Sequence, residues 1–268
     1  MKRYLVLLPI LFVGTITFAA PGLKPGGFAE FDVELPRELR VVAGRGQLSP
    51  VTRALVTIAA PASLDAKRDW PVMVVSATSD RPYHSSRRLL GAYAATALEA
   101  GWILVAADPA EDVAVENDIP ALRFALNAAA LSVLALQWPP AANAALAFGG
   151  FSGGAKYSGS LAAAFASQGR AIAGIYLAGI STDSIVDAAR DFNVMTAEFK
   201  RVPIVLQYAD RDVVATPSDH WRIHDELKRA GFRNVRVEAV RGVHEVDPAP
   251  LRKALDWFRE SAAMPAVR

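Results

Sequence analysis

The sequence predicts an α/β protein: an eight-stranded, mostly parallel sheet flanked by helices on both faces. Three observations carry that expectation. Strand-like and helix-like segments alternate along nearly the whole chain, the pattern that parallel strands joined by crossover helices produce. Pro71-Val72-Met73-Val74-Val75 is wholly apolar and rich in β-branched residues, as a strand covered on both faces requires. Alanine-dense tracts at 92–97, 125–135 and 162–166 favour helix and permit close packing on a sheet.

The elements follow in order. Residues 28–35 and 53–60 alternate apolar and polar, separated by a loop rich in Gly, Pro and Arg, and read as an antiparallel pair at the sheet edge. Strand 71–75 comes next, then a helix over 87–100 that Gly101 closes. Strand 102–107 leads to a helix from about 119 to 137 with Pro120 in its first turn, where a missing N–H costs nothing. Strand 144–148, a small-residue helix over 153–167, strand 171–178, a helix within 183–199 and strand 203–208 continue the alternation. A helix over 217–230, strand 235–239 and a helix over 248–262 complete it. No repeat, low-complexity tract or linker interrupts the series, so residues 20–268 are expected to form a single domain, its regular elements spanning about 28–262. A chain of 268 residues can bury about three quarters of the surface it exposes when unfolded, enough for one large core.

The first nineteen residues read differently. Lys2 and Arg3 precede an apolar run over 4–18 that ends in Thr17-Phe18-Ala19, the layout of a secretory signal cut after Ala19. The run falls short of the roughly 20 residues needed to cross a bilayer, so no stable membrane span is expected after cleavage. Export follows, to the periplasm or the exterior. The absence of cysteine excludes disulfides, thiolate metal sites and cysteine nucleophiles together, and an exported domain without disulfides points to a bacterial periplasm.

The charge balance excludes another class. The full chain has 29 basic and 27 acidic residues; losing Lys2 and Arg3 leaves 27 of each. The basic pI near 8.9 is therefore partly a property of the signal and makes no case for a nucleic-acid partner. A hydrophobic fraction of 52% with 21% charged residues excludes a disordered or collagen-like chain.

One segment carries chemistry. Gly150-Phe151-Ser152-Gly153-Gly154 fits G-x-S-x-G, a suggestive pattern that its setting strengthens. It directly follows the apolar strand 144–148 and directly precedes a helix. A serine exposed above a sheet on such a turn needs a positive-φ backbone, a strain of about 1–3 kcal/mol. Side chains two positions either way would collide with the neighbouring strand and helix, which explains Gly150 and Gly154. A helix starting at Gly153 offers a free amide and a positive end to a developing oxyanion.

With these residues in view, the sequence resembles the α/β-hydrolase superfamily over nearly all of residues 20–268, as a minimal, uncapped, esterase- and dienelactone-hydrolase-like member. The resemblance implies Ser152 as nucleophile after the fifth strand, an acid after the seventh and a histidine after the eighth. In Pro203-Ile-Val-Leu-Gln-Tyr-Ala-Asp-Arg-Asp212 the family register selects Asp212, with Ala209 where glycine is usual and Asp210 as the rival. Of His84, His220, His224 and His244, only His244 falls after the eighth strand. The implied roles are proton acceptance from Ser152 by His244, orientation of the imidazole by Asp212, and hydrolysis of an acyl-enzyme by water that His244 activates. One oxyanion donor would be the Gly153 amide. Where many members carry His-Gly after the third strand, this chain has Ser76-Ala77-Thr78-Ser79; the Thr78 amide is the expected second donor, with Ala77 next.

His220 and His224 stand i,i+4 on a helix, yet no HExxH glutamate or third ligand accompanies them; they read as surface histidines, and neither metal nor cofactor is expected. Tyr83, Trp102, Phe151, Tyr157 and Trp221 are candidates for an acyl pocket or for the core. The short span over 179–202 leaves no room for a large cap, which predicts an open site serving small-molecule or polymeric esters. Two alternatives remain beside the ester reading: a serine peptidase or amidase on the same residues, and a non-catalytic binding protein of the same fold. The sequence sets no oligomeric state.

Overall fold

The computed structural model describes residues 23–65, 68–77, 85–110 and 120–262. Residues 1–19, expected to be an export signal, and Thr78, Tyr83 and His84 lie outside the described residues.

Eight strands form one sheet in the order β1-β2-β4-β3-β5-β6-β7-β8. They are β1 (Phe28–Glu34), β2 (Arg53–Ala59), β3 (Val72–Ser76), β4 (Ile103–Pro109), β5 (Leu146–Phe151), β6 (Ile172–Ala178), β7 (Ile204–Ala209) and β8 (Val235–Val240). β2 runs antiparallel to both β1 and β4, and every other pairing is parallel. The wholly apolar β3 lies between β4 and β5 with all five residues buried, as its composition requires. β1 is at the edge; Phe31 and Val33 face inward, while Asp32 pairs with Arg53 in solvent.

Alternation along the strands divides the core into two layers. Val72 and Val74 point to the face covered by α1 (Arg37–Ala43), α3 (Pro120–Gln137), α4 (Gly153–Ser167), α5 (Ile185–Asp191) and α6 (Pro217–Arg229). Met73 and Val75 point to the face covered by α2 (Ser86–Glu99) and α7 (Ala249–Ser261). Each fully buried aliphatic or aromatic side chain contributes about 1.5–3 kcal/mol. By length and composition α3 could cross a membrane, at mean hydropathy 1.3, but 61% of it is buried in the protein, where it forms the centre of the first layer.

One segment departs from expectation. The link between the first two strands holds α1, two turns that bury Leu39 and Ala43 at i,i+4. Seven residues are too few for a periodic signal, and tertiary burial decides the conformation. Gly44 caps the helix, and only glycine fits there because a Cβ would strike the Gln47 and Ser49 backbone.

The carboxyl ends of β5, β6, β7 and β8 lie side by side, so the segments that follow them meet at one rim of the sheet.

Candidate active site

Ser152 occupies the single residue between β5 and α4, at φ 55° and ψ −122°. That backbone is held from both sides. The Ser152 amide donates to Ala178 O on β6 at 2.8 Å, and its carbonyl accepts the Ala155 amide at 3.0 Å. Although Ser152 is the N-cap of α4, its side chain makes no capping bond, so the hydroxyl stays available above the sheet. The flanking glycines are there for space. A Cβ on Gly154 would stand closer than 3.0 Å to the Ser76 carbonyl and to Ala77 Cα, and one on Gly150 would strike Gly154 and the Ser76 carbonyl. All of these are backbone atoms that cannot swing aside. Gly154→Ala is therefore expected to destabilise the protein by about 1–3 kcal/mol, read as a lower denaturant midpoint.

The residues after β7 and β8 complete the arrangement. Ser152 Oγ lies 3.1 Å from His244 Nε2, and His244 Nδ1 lies 2.7 Å from Asp212 Oδ2. Asp212 is buried, and its other oxygen, Oδ1, accepts the amides of Val214 at 2.8 Å and Ala215 at 2.9 Å. Burial pushes the carboxyl pKa upward, but the Ala215 amide, the His244 side chain and the Val214 amide together outweigh it and hold the group below its ordinary value. Asp212 is thus an ionised acceptor, so His244 Nδ1 carries a proton and Nε2 is free to accept one from Ser152. Asp210 does not take part: exposed, it accepts the Gly242 amide at 2.9 Å. That bond, with Arg211 N donating to Gly242 O at 2.9 Å, ties the β7 and β8 loops together. The His244 ring packs on Phe151, centroid to centroid 4.7 Å, and Gly179 at φ 58° leaves room for both.

The residues expected to face an oxyanion are partly among the described ones. Gly153 opens α4, where first-turn amides have no acceptor within the helix. The Ala77 amide donates to Ser86 Oγ at the start of α2, at 3.3 Å, so it already has an acceptor within the protein. Ser86 also receives Arg123 at 3.2 Å, and its own amide donates to Asp108 at 2.9 Å. Arg123 lies buried over the Tyr157 ring at 5.6 Å. These supporting residues escaped the sequence reading, although a lone charge in the otherwise uncharged α3 was a usable signal.

One further expectation changes. His220 is fully buried, not a surface histidine, because α6 presents it with Ile223 and Leu227 to the core; His224, on the outer side, bonds Asp225 at 2.9 Å. Of the aromatic candidates, Trp102 is core, Phe151 backs His244, Tyr157 lies beneath Arg123, and Trp221 is half exposed. The span between β6 and β7 holds only α5 and the short turn Phe199–Arg201. A cavity of about 430 Å³ lies at the opposite end of the strands, lined by Arg170, Ile172, Thr196, Glu198 and Pro203; it holds none of the residues around Ser152, so side-chain chemistry and not cavity size marks the site.

Strand order, a single antiparallel strand, β2, near one edge, and a strained serine turn after β5 define the α/β-hydrolase fold. Solved structures agree. The chain is similar to an α/β serine hydrolase without a lid from Xanthomonas campestris, at 16% identity and TM-score 0.61 over 92% of this chain and 100% of that one. It is also similar to a fungal esterase from Rhizomucor miehei, at 16% identity and TM-score 0.58 over 91% and 85%. A cold-adapted esterase from an Arctic intertidal metagenomic library matches at 14% and 0.56 over 94% and 100%. No family model matches the chain, and no curated protein matches its sequence.

Proposed function

We propose that this protein is an exported serine hydrolase that cleaves carboxylic esters through an acyl-enzyme. The observation that carries the reading is the hydrogen-bonded series Ser152 Oγ–His244 Nε2 and His244 Nδ1–Asp212 Oδ2, at 3.1 and 2.7 Å, on a strained turn. His244 takes the hydroxyl proton as Ser152 Oγ bonds to the ester carbonyl carbon, and the carbonyl oxygen becomes an oxyanion facing the Gly153 amide. The C–O bond to the alcohol breaks, and His244 returns the proton to the leaving oxygen. Water then loses a proton to His244 and attacks the acyl carbon; the bond from Ser152 Oγ to that carbon breaks, His244 returns the proton to Oγ and the acid leaves. Asp212 stabilises the imidazolium in both halves. The Thr78 amide is the proposed second oxyanion donor, and the segment 1–19 the proposed export signal.

The rim supports an apolar ester. Val213 is 87% exposed, Val214 60%, Trp221 50% and Val243 45%, four of the eight large apolar side chains that are exposed among the described residues. Val213 and Val214 directly follow Asp212 and Val243 directly precedes His244, where acyl chains or a polymer surface would gain contact in an open site, while Trp221 stands on α6 against His224.

A fluorophosphonate probe should label Ser152, located by mass spectrometry, and p-nitrophenyl esters should turn over faster as the acyl chain lengthens from acetate. An unlabelled protein would point instead to a binding protein. Faster cleavage of a matched anilide than of the esters would shift the reading to an amidase.

A further inference from the structure

His220 takes no part in the series from Ser152 to Asp212, yet both its nitrogens are engaged close beside it. The side chain is fully buried on the inner stripe of α6 with Ile223 and Leu227, and the Tyr208 ring lies 5.6 Å away. Nδ1 is 2.9 Å from Thr216 O, and Nε2 is 3.1 Å from Ile180 N. A carbonyl oxygen can only accept and a backbone amide can only donate. Nδ1 therefore carries the proton and Nε2 is bare: a neutral imidazole in one tautomer.

The two partners belong to the two segments that hold the reacting groups. Thr216 closes the loop that starts at Asp212, whose Oδ1 gathers the Val214 and Ala215 amides. Thr216 is itself fixed by reciprocal bonds with Asp219 at the start of α6. Ile180 directly follows Gly179, the residue against which the His244 and Phe151 rings pack: a Cβ there would lie 3.2 Å from His244 Cε1 and 2.8 Å from Phe151 Cε2. One imidazole thus ties the loop of the acid to the backbone beneath the base.

We propose that His220 is a positioning residue: a neutral cross-link between Thr216 and Ile180 that keeps Asp212 and His244 in register for proton transfer from Ser152. The proposal rests on the ester-hydrolase reading. Packing alone does not account for it: an apolar side chain would fill the same space but leave the buried Ile180 amide without its acceptor, while Thr216 O would keep only the Asp219 and His220 amides and lose its link to the segment of Ile180. The charged groups that face the ring are Asp212 and Asp219, both acidic; burial outweighs them and pushes the imidazole below its ordinary value, which favours the neutral form.

The test compares wild type with His220→Phe and His220→Gln on a short p-nitrophenyl ester, with thermal midpoints to check folding. Phenylalanine keeps the ring and removes both bonds; glutamine keeps one donor and one acceptor. His220→Phe should lower kcat roughly 10- to 100-fold with KM within about twofold, and His220→Gln should regain much of the loss. Nitrogen-15 spectra of the wild type should show His220 protonated at Nδ1 only. Unchanged kcat in His220→Phe, a loss confined to KM, no recovery in His220→Gln, or a proton on Nε2 would each overturn the proposal. Should His220→Phe not fold, His220→Asn, too short to bridge both partners, replaces it with the same expectations. Failure of the ester-hydrolase reading looks different: the wild type itself would be inactive and unlabelled by the fluorophosphonate.

Discussion

Ser152→Ala is expected to lower turnover of a p-nitrophenyl ester by roughly 10⁶-fold, with KM nearly unchanged and the fold intact. The size follows from what the hydroxyl alone supplies. His244 Nε2 faces Ser152 Oγ at 3.1 Å, and in the proposed mechanism the Ser152 hydroxyl is the group that this nitrogen activates for attack. Without it, the amide at the start of α4 still stabilises an oxyanion, but attack falls to unassisted water. Stability should barely move. Alanine carries the same strain at φ 55° as serine, and Oγ caps no helix amide whose loss would be felt. Steady-state kinetics, chemical denaturation and fluorophosphonate labelling on one preparation check all three statements. A loss near tenfold with the denaturation midpoint preserved would mean that Ser152 is not the nucleophile.

What the sequence revealed and what it hid follow the range of the forces involved. The strands announced themselves because burial on both faces needs an unbroken apolar run such as Val72-Met73-Val74-Val75, which is a local property. The serine turn was legible too: Gly150 and Gly154 are excluded volumes written two residues from Ser152, and the atoms that demand them are the Gly154 carbonyl, the Ser76 carbonyl at the end of β3 and Ala77 Cα just beyond it. The choice between Asp210 and Asp212 was less local. Both lie within three residues of β7, and only the turn of the loop sends Asp212 inward to His244 while Asp210 binds Gly242. His220 was misplaced because a polar residue on a helix reads as exposed. Its burial depends on Ile180, forty positions away, which supplies the amide that makes an interior imidazole tolerable. Arg123 is the same case, a charge in an apolar helix whose partners Ser86 and Asp108 come from two other elements. Neither partner can be read from the helix itself.

Asp212→Asn is expected to cost about 10⁴-fold in turnover with little effect on KM, although the substitution replaces one oxygen by a nitrogen of nearly equal size. The surroundings dictate the loss. Val214 and Ala215 both donate to Oδ1, so the asparagine must place its carbonyl oxygen there and turn its NH₂ toward His244 Nδ1. Nδ1 then has to accept, the ring proton moves to Nε2, and that nitrogen can no longer take the Ser152 proton. The same substitution should alter the acid limb of stability. The wild-type carboxyl is held below its ordinary value of 3.8, so its contribution is full above that range and is lost as pH falls through the lowered value. Asparagine does not titrate. Denaturation of the two proteins as a function of pH should therefore show a difference that is largest above 3.8 and shrinks as the solution becomes more acidic. Parallel curves would mean that the hydrogen bonds of Val214, Ala215 and His244 do not favour the ionised carboxylate.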